Sequence, residues 1–179
     1  QDPPEVSNVN YQPGQTVANL ATVKVGSGGQ ICLFTLARTH VIVDIAGWYG
    51  PAGGSAGATF ESLAPDRILD LGVGLGTANQ PIPANGEITV VAAGAKSIPM
   101  DGVSAVVLSV AATDTTGPGF LTFYPCDVDR PTASNVNYAA PGQTVANLVV
   151  VRLDDDGRFC VYSHARTDVI ADVAGYLAD

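Results

Sequence analysis

The chain has 179 residues and a formal net charge of −9, with only 14% of its residues charged and 46% hydrophobic. Its eight Lys and Arg residues are scattered singly, which excludes the clustered positive charge that nucleic acids and anionic membrane surfaces attract. No apolar run reaches the roughly 20 residues needed to cross a bilayer. The 20 Gly and 12 Pro residues indicate many short strands joined by turns.

Three strands are predicted in the first fifty residues. TVANLATVKV (16–25) and QICLFTLA (30–37) flank a GSGG turn and are predicted to form a hairpin. HVIVDIAGWY (40–49) is predicted to be a long strand buried on both faces. The stretch GPAGGSAGA (50–58) follows, and its small residues indicate a flexible joint.

The middle of the chain predicts three further strands. EITVVAAG (87–94) follows an Asn-Gly turn signal, and VSAVVLSVAAT (103–113) and GFLTFYP (119–125) are predicted to pair across the loop DTTGP.

The last third repeats the pattern of the first. TVANLVVVRL (144–153) and RFCVYSHA (158–165) flank a DDDG turn and predict a second hairpin, followed by the apolar strand DVIADVAGYL (168–177). The three aspartates could offer oxygen ligands to calcium, but the aligned GSGG turn has none, which favours a solvated turn. The strand spacing predicts an all-β, antiparallel sandwich or barrel-like fold.

An internal duplication underlies this similarity. SNVNY at 7–11 recurs at 134–138, and the stretch 13–48 aligns with 141–176. Identical residues occupy 24 of the 41 aligned positions, which chance does not produce. We call residues 1–50 the first back half, 58–127 the front half and 128–179 the second back half.

The order back, front, back defines the expected domains. Residues 58–179 form one complete repeat, 51–57 form the joint, and 1–50 are the C-terminal half of a preceding repeat. The first back half would then pack on the complete repeat or be completed by strands of a neighbouring chain.

Three cysteines leave one without a partner. Cys126 lies shortly before the SNVNY motif of the second back half, which contains Cys160, whereas the counterpart of Cys126 for Cys32 would fall before Gln1. We therefore predict a disulfide between Cys126 and Cys160, with Cys32 unpaired or paired with another chain. The alternative is three buried free thiols. A disulfide implies an oxidising compartment.

Several motifs together carry a resemblance. APDRILD (64–70), AVVLSVAATDTTGPGFLTFYPC (105–126), SNVNY, GQTVANL and VIxDxAGY make the chain similar to a tandem β-rich repeat of secreted and surface proteins of Actinobacteria and Chloroflexota-like bacteria. The resemblance implies an extracellular, cell-surface location and a role without catalysis or a cofactor. Members often continue APxRLLDTR, whereas Leu71 and Gly72 stand here in place of the Thr-Arg pair.

Two acidic residues interrupt the most apolar predicted strands. Asp44 and Asp172 align, and each lies six residues after an arginine, Arg38 and Arg166. Because a buried carboxylate needs a partner, we predict one structural Arg–Asp ion pair in each copy. A ligand site is the alternative.

A duplicated set of amides and a tyrosine is the candidate site for a glycan. Amides beside an aromatic ring can bind and stack on a sugar, although they also bridge loops to the backbone. The set in the second back half is Asn135, Asn137, Tyr138, Gln143 and Asn147.

Catalytic and metal-binding patterns are missing from the sequence. His40 and His164 do not align with each other, and no CxxC, HExxH or GxSxG motif occurs. We therefore predict no enzyme, no metal and no cofactor. The leading hypothesis is a structural or adhesive module of an extracellular array, in which neighbouring copies of the repeat protein are the partners and head-to-tail contacts build a filament. The alternative is a carbohydrate-binding module that targets cell wall or polysaccharide.

Overall fold

The computed structural model describes residues 6–50 and 57–178, and all of its strands lie in the complete repeat. No helix occurs in the described residues. The strands are, in chain order, β1 Thr59–Asp70, β2 Gly86–Val91, β3 Val103–Thr113, β4 Gly119–Pro125, β5 Val136–Tyr138, β6 Val145–Arg152, β7 Arg158–Ser163 and β8 Asp168–Ala178.

The eight strands form two four-stranded antiparallel sheets. One sheet has the order β1-β8-β3-β6 and the other has the order β2-β7-β4-β5. The sheets pack face to face around a core that includes Leu108, Val110, Leu121, Phe159 and Val173. The all-β prediction is therefore confirmed, as a sandwich and not a closed barrel.

Strands of the two halves alternate in both sheets. The front half supplies β1 to β4 and the second back half supplies β5 to β8. In the first sheet β8 lies between β1 and β3, and in the second sheet β7 lies between β2 and β4. Every neighbouring pair of strands thus joins one front-half strand to one back-half strand. Neither half contains a pair of adjacent strands by itself.

This alternation makes the predicted hairpins wrong. The strands β6 and β7 lie in different sheets, as do β3 and β4. The predicted strands 16–25, 30–37 and 40–49 are not formed, and residues 40–49 are exposed instead of buried on both faces. The turns themselves are present: the N–H of Asp154 donates to the carbonyl of Arg158 at 2.9 Å. A turn signal shows that the chain reverses, but here the reversal carries the chain from one sheet to the other.

The burial of β8 also differs from the prediction. Val169, Ala171 and Val173 are fully buried, whereas the residues between them, Asp172 among them, are only half-buried. One face of β8 therefore packs in the core, and the other is partly open to solvent beside β1 and β3.

The turn between β6 and β7 fastens the second back half to the front half. The carbonyl of Gly157 accepts hydrogen bonds from the N–H groups of Ala92 and Ala93 at 2.9 and 3.0 Å. Gly157 has φ +73, and a Cβ there would lie 2.2 Å from the Cβ of Ala93. Glycine is thus required both by the backbone conformation and by the close approach.

We expect Gly157→Ala to destabilise the fold more than Gly142→Ala. Gly142 also has a positive φ, +69, but a Cβ there meets nothing within 4 Å, so its substitution costs about 1 kcal/mol of backbone strain. Gly157→Ala adds a steric clash of about 2 kcal/mol. Urea unfolding of both variants measures the difference, and equal free energies of unfolding would show that the contact with Ala93 does not matter.

Candidate assembly interface

The amide and tyrosine set holds the second back half together. The Tyr138 hydroxyl, whose residue is 3% exposed, lies 3.0 Å from the Ser163 hydroxyl and donates to the carbonyl of Ala165 at 3.3 Å. The amide of Asn147 donates to the carbonyl of Asn135 at 2.7 Å. These bonds link β5, β6 and the segment after β7, which do not lie side by side in one sheet.

Two members of the set have further backbone partners. The side-chain oxygen of Gln143 accepts a bond from the N–H of Ala139 at 2.6 Å. The side-chain oxygen of Asn135 accepts one from the N–H of Phe123 in the front half at 2.8 Å.

Four of the five candidate glycan contacts are therefore used inside the protein. Asn135, Tyr138, Gln143 and Asn147 each bond to protein atoms, and the Tyr138 ring is too buried to stack on a sugar. Asn137 is half-buried in β5, opposite Phe120. The geometry favours the structural interpretation of this set.

The same bonds recur in the first back half, although it has no strands. The Asn19 amide donates to the carbonyl of Asn8 at 3.0 Å, and the Tyr11 hydroxyl donates to the carbonyl of Ala37 at 3.4 Å. Both pairs align residue for residue with Asn147–Asn135 and Tyr138–Ala165. The Gly26 N–H donates to the carbonyl of Gln30 at 2.9 Å, which matches the Asp154–Arg158 turn. The first back half thus keeps these three internal bonds of the second.

What the first back half lacks is cover for its apolar side chains. Ile45 is 87% exposed, whereas the aligned Val173 is fully buried. Leu33 is 64% exposed and aligns with the fully buried Val161. Trp48, the single tryptophan of the chain, is 76% exposed. Large apolar side chains that are buried in one copy and exposed in the other indicate an interaction surface.

The predicted Arg166–Asp172 ion pair is wrong, because Asp172 pairs with the front half. Arg67 lies opposite Asp172 across β1 and β8, and its Nε donates to the carboxylate at 2.8 Å. Arg166 stands six residues before Asp172, which corresponds to about 20 Å along an extended strand. Its carbonyl accepts hydrogen bonds from Thr116.

The matching Arg38–Asp44 pair is also not formed. Both residues are exposed, and no ion pair joins them in the part of the chain that the structure describes. Asp44 lies in a segment with no front-half strand beside it, so the position that Arg67 takes opposite Asp172 has no equivalent there.

Arg67 is the residue that the sequence interpretation missed. It also donates to Asp70 at 2.9 Å, so that one guanidinium bridges two carboxylates. The hydrogen bonds that Arg67 donates, first to Asp172 and then to Asp70, raise its pKa. The signal was available, since Arg67 belongs to the APDRILD motif and Asp172 to the VIxDxAGY motif.

The disulfide between Cys126 and Cys160 is present, as predicted. It joins the end of the front half to β7 across a sequence separation of 34 residues, and closing a loop of this size stabilises the fold by about 3 to 4 kcal/mol. Cys126 is half-buried and Cys160 is buried. Cys32, which aligns with Cys160, is an exposed free thiol.

The Asp154 carboxylate stabilises the β6–β7 turn and is almost fully buried. It accepts bonds from the N–H groups of Asp156 and Arg158 at 3.0 and 2.8 Å and from the Arg158 guanidinium at 3.0 Å. Burial alone would raise its pKa, but the hydrogen bonds from Arg158 and Asp156 outweigh burial and lower it. In the first back half Gly26 takes this position.

The remaining surface features are modest. An open groove lies between the β2–β3 loop and the β6–β7 turn, lined by Met100, Arg152 and Asp155 among others. His164 stacks on Phe120 at 5.3 Å. Among the described residues, no group of three or more His, Cys, Asp or Glu side chains is arranged to hold a metal, and no helix is long and apolar enough to cross a membrane.

No protein-family model matches the chain, and no curated protein is significantly similar to it.

A double-mutant cycle can measure the coupling free energy of the ion pair between Arg67 and Asp172. We expect Arg67 and Asp172 to be coupled by about 0.5 to 1 kcal/mol, since both side chains are partly exposed. The cycle of Arg166 with Asp172 is the control and should give a coupling near zero. Chemical unfolding of the alanine variants gives both values. A coupling confined to the Arg166 cycle would contradict the assignment.

Acid should weaken the Asp154 turn. Because the pKa of Asp154 is lower in the folded chain than in the unfolded chain, its contribution is complete above the unfolded value of about 4 and is lost as the pH falls through the folded value. Asp154→Asn should cost about 1 to 3 kcal/mol at pH 7 and reduce the fall in stability at low pH. Asp155→Asn, at an exposed neighbouring position, is the matched control. Identical pH profiles for Asp154→Asn and the wild type would exclude this role.

Proposed function

We propose that the chain is a non-catalytic structural and adhesive module of an extracellular tandem-repeat surface protein. In this proposal its units are joined by insertion of the strands of a back half between those of a front half. The observation that carries the proposal is the alternation of the two halves in both sheets. A back half that meets a front half of this type completes two sheets at once.

The first back half supports the proposal because its apolar side chains are exposed while some of its internal contacts are already formed. Two of its side-chain hydrogen bonds match those of the second back half, so these contacts do not have to form on association, which favours affinity. Its exposed Ile45, Leu33 and Trp48 would supply the apolar area that the partner covers.

Counting the halves defines the partner. Residues 7–178 contain two back halves and one front half, and the front half is occupied by the second back half. Completing the first back half therefore requires a further front half, which an array of such repeats supplies from an adjacent unit of the same or a neighbouring molecule. Contacts of this kind are head-to-tail, and when they do not close they build a filament.

The disulfide supports the location. A structural disulfide forms and persists in an oxidising compartment, in agreement with an exported protein. The resemblance of the sequence motifs to surface-protein repeats directs the proposal to the cell surface. Carbohydrate binding, the alternative, is less favoured because four of the five residues that suggested it, all but Asn137, bond within the protein.

A chain extended by a second front half tests the proposal. We expect a copy of residues 58–127 placed directly before residue 1 to pair with the first back half, to form a disulfide from Cys32 to the added counterpart of Cys126, and to shift the Trp48 fluorescence to shorter wavelength as the ring leaves water.

The control is the same extension with an aspartate in place of the added copy of Val110, a fully buried core position. It should leave Cys32 free and the fluorescence unchanged. If the unmodified extension also leaves Cys32 free and Trp48 exposed, strand insertion is not how these units join.

A further inference from the structure

The two back halves carry identical residues at several positions that, in the second back half, lie opposite front-half strands. Where Ser109 and Val110 of β3 lie opposite Asp172 and Asn147, the first back half offers the identical Asp44 and Asn19. Where Tyr124 of β4 lies opposite Cys160, it offers Cys32.

The connections of the chain allow either back half to occupy the front half. Thr59 at the start of β1 is paired with Ala178 at the end of β8, and Ala178 aligns with Gly50. A first back half in this place would bring Gly50 beside Thr59, about 5 Å apart as in any antiparallel pair. Residues 51–58 extend up to about 26 Å, so they close this connection easily.

We propose that the first back half, residues 7–48, is a competing occupant of the front half of the same chain, which displaces residues 134–178 and is locked by a disulfide from Cys32 to Cys126. The proposal shares with the proposed function only the premise that residues 7–48 pair with a front half.

The disulfide exchange needs no outside oxidant. The Cys32 thiolate attacks the Sγ atom of Cys126, which is half-buried and thus reachable. The bond between Cys32 and Cys126 forms as the bond between Cys126 and Cys160 breaks. Cys160 leaves as a thiolate and takes up a proton, which replaces the one that Cys32 lost. One disulfide is exchanged for another.

Differences between the copies set the balance between the two occupants. The second back half has the Asp154–Arg158 bonds of its turn, which Gly26 and Gln30 cannot make. It also contains Asp168, which has a buried carboxylate oxygen without a hydrogen bond and has a raised pKa because of burial and then the nearby Asp114. The first back half has His40 at that position. The Asp154–Arg158 bonds favour the second back half as the occupant, whereas the unpaired Asp168 carboxylate oxygen disfavours it.

Removal of the native disulfide partner tests the exchange in the full chain. We expect Cys160→Ser, oxidised with oxidised glutathione, to form the intrachain Cys32–Cys126 disulfide in most molecules, seen by mass spectrometry of non-reduced peptides. Trp48 fluorescence should shift to shorter wavelength at the same time. A folded Cys160→Ser monomer with both remaining thiols free or bound to glutathione would overturn the proposal, as would a Cys32–Cys126 bond found only between chains.

A second substitution distinguishes strand replacement from a chance collision of the two thiols. Ile45→Asp places a charge where the matching Val173 is fully buried, so in the Cys160→Ser background it should lower the yield of Cys32–Cys126 by about tenfold or more. Val6→Asp, at an exposed position outside the aligned segment, should leave the yield unchanged. Equal yields in both variants would overturn the proposal.

The wild-type chain provides a test that does not depend on the Cys160 variant. In a glutathione redox buffer quenched with acid, Cys32–Cys126 should appear beside Cys126–Cys160, and its absence would count against exchange. If exchange fails while the extended chain still buries Trp48, the proposed function stands without it.

Discussion

The fold depends on one constraint: each strand of a half finds its hydrogen-bonding neighbours only in the other half. Backbone N–H and C=O groups removed from water must be paired, so neither half can bury its apolar face until the two interleave. Folding and the joining of halves are therefore the same event. The cross-strand ion pair of Arg67 with Asp172, the disulfide and the Gly157 contact with Ala92 and Ala93 all reinforce this one boundary.

The two copies of the back half separate what is encoded locally from what a partner supplies. Turns and short-range bridges, such as Asn19 to Asn8 and Tyr11 to Ala37, exist with or without a front half. Strands and buried apolar side chains occur only in the back half that is paired with a front half. The duplicated amides maintain the shape of a segment whose sheets are completed from elsewhere.

This division explains what the sequence could predict. Alternation of apolar residues located most of the strands of the complete repeat, because it depends only on position within one segment. Comparison of the two copies located the Cys126–Cys160 bond, because only one copy has a partner cysteine within the chain. The neighbours of each strand could not be predicted, since periodicity reports that a strand has a buried face but not which strand lies beside it. The hairpins and the Arg166–Asp172 pair failed for that reason: each assumed that residues close in sequence are neighbours in the sheet. The pairing of Arg67 with Asp172 needed the register of β1 against β8, which no local pattern contains.

The pairing of Thr59 with Ala178 has a mechanical consequence. The chain enters and leaves the repeat on adjacent antiparallel strands, so a folded repeat adds almost no length between its two attachment points. In a string of such units under tension, the force would break the backbone hydrogen bonds between β1 and β8 one residue pair at a time from this end. It would not shear the two strands along their length. The covalent bridge lies on the other sheet, so it would not resist this opening.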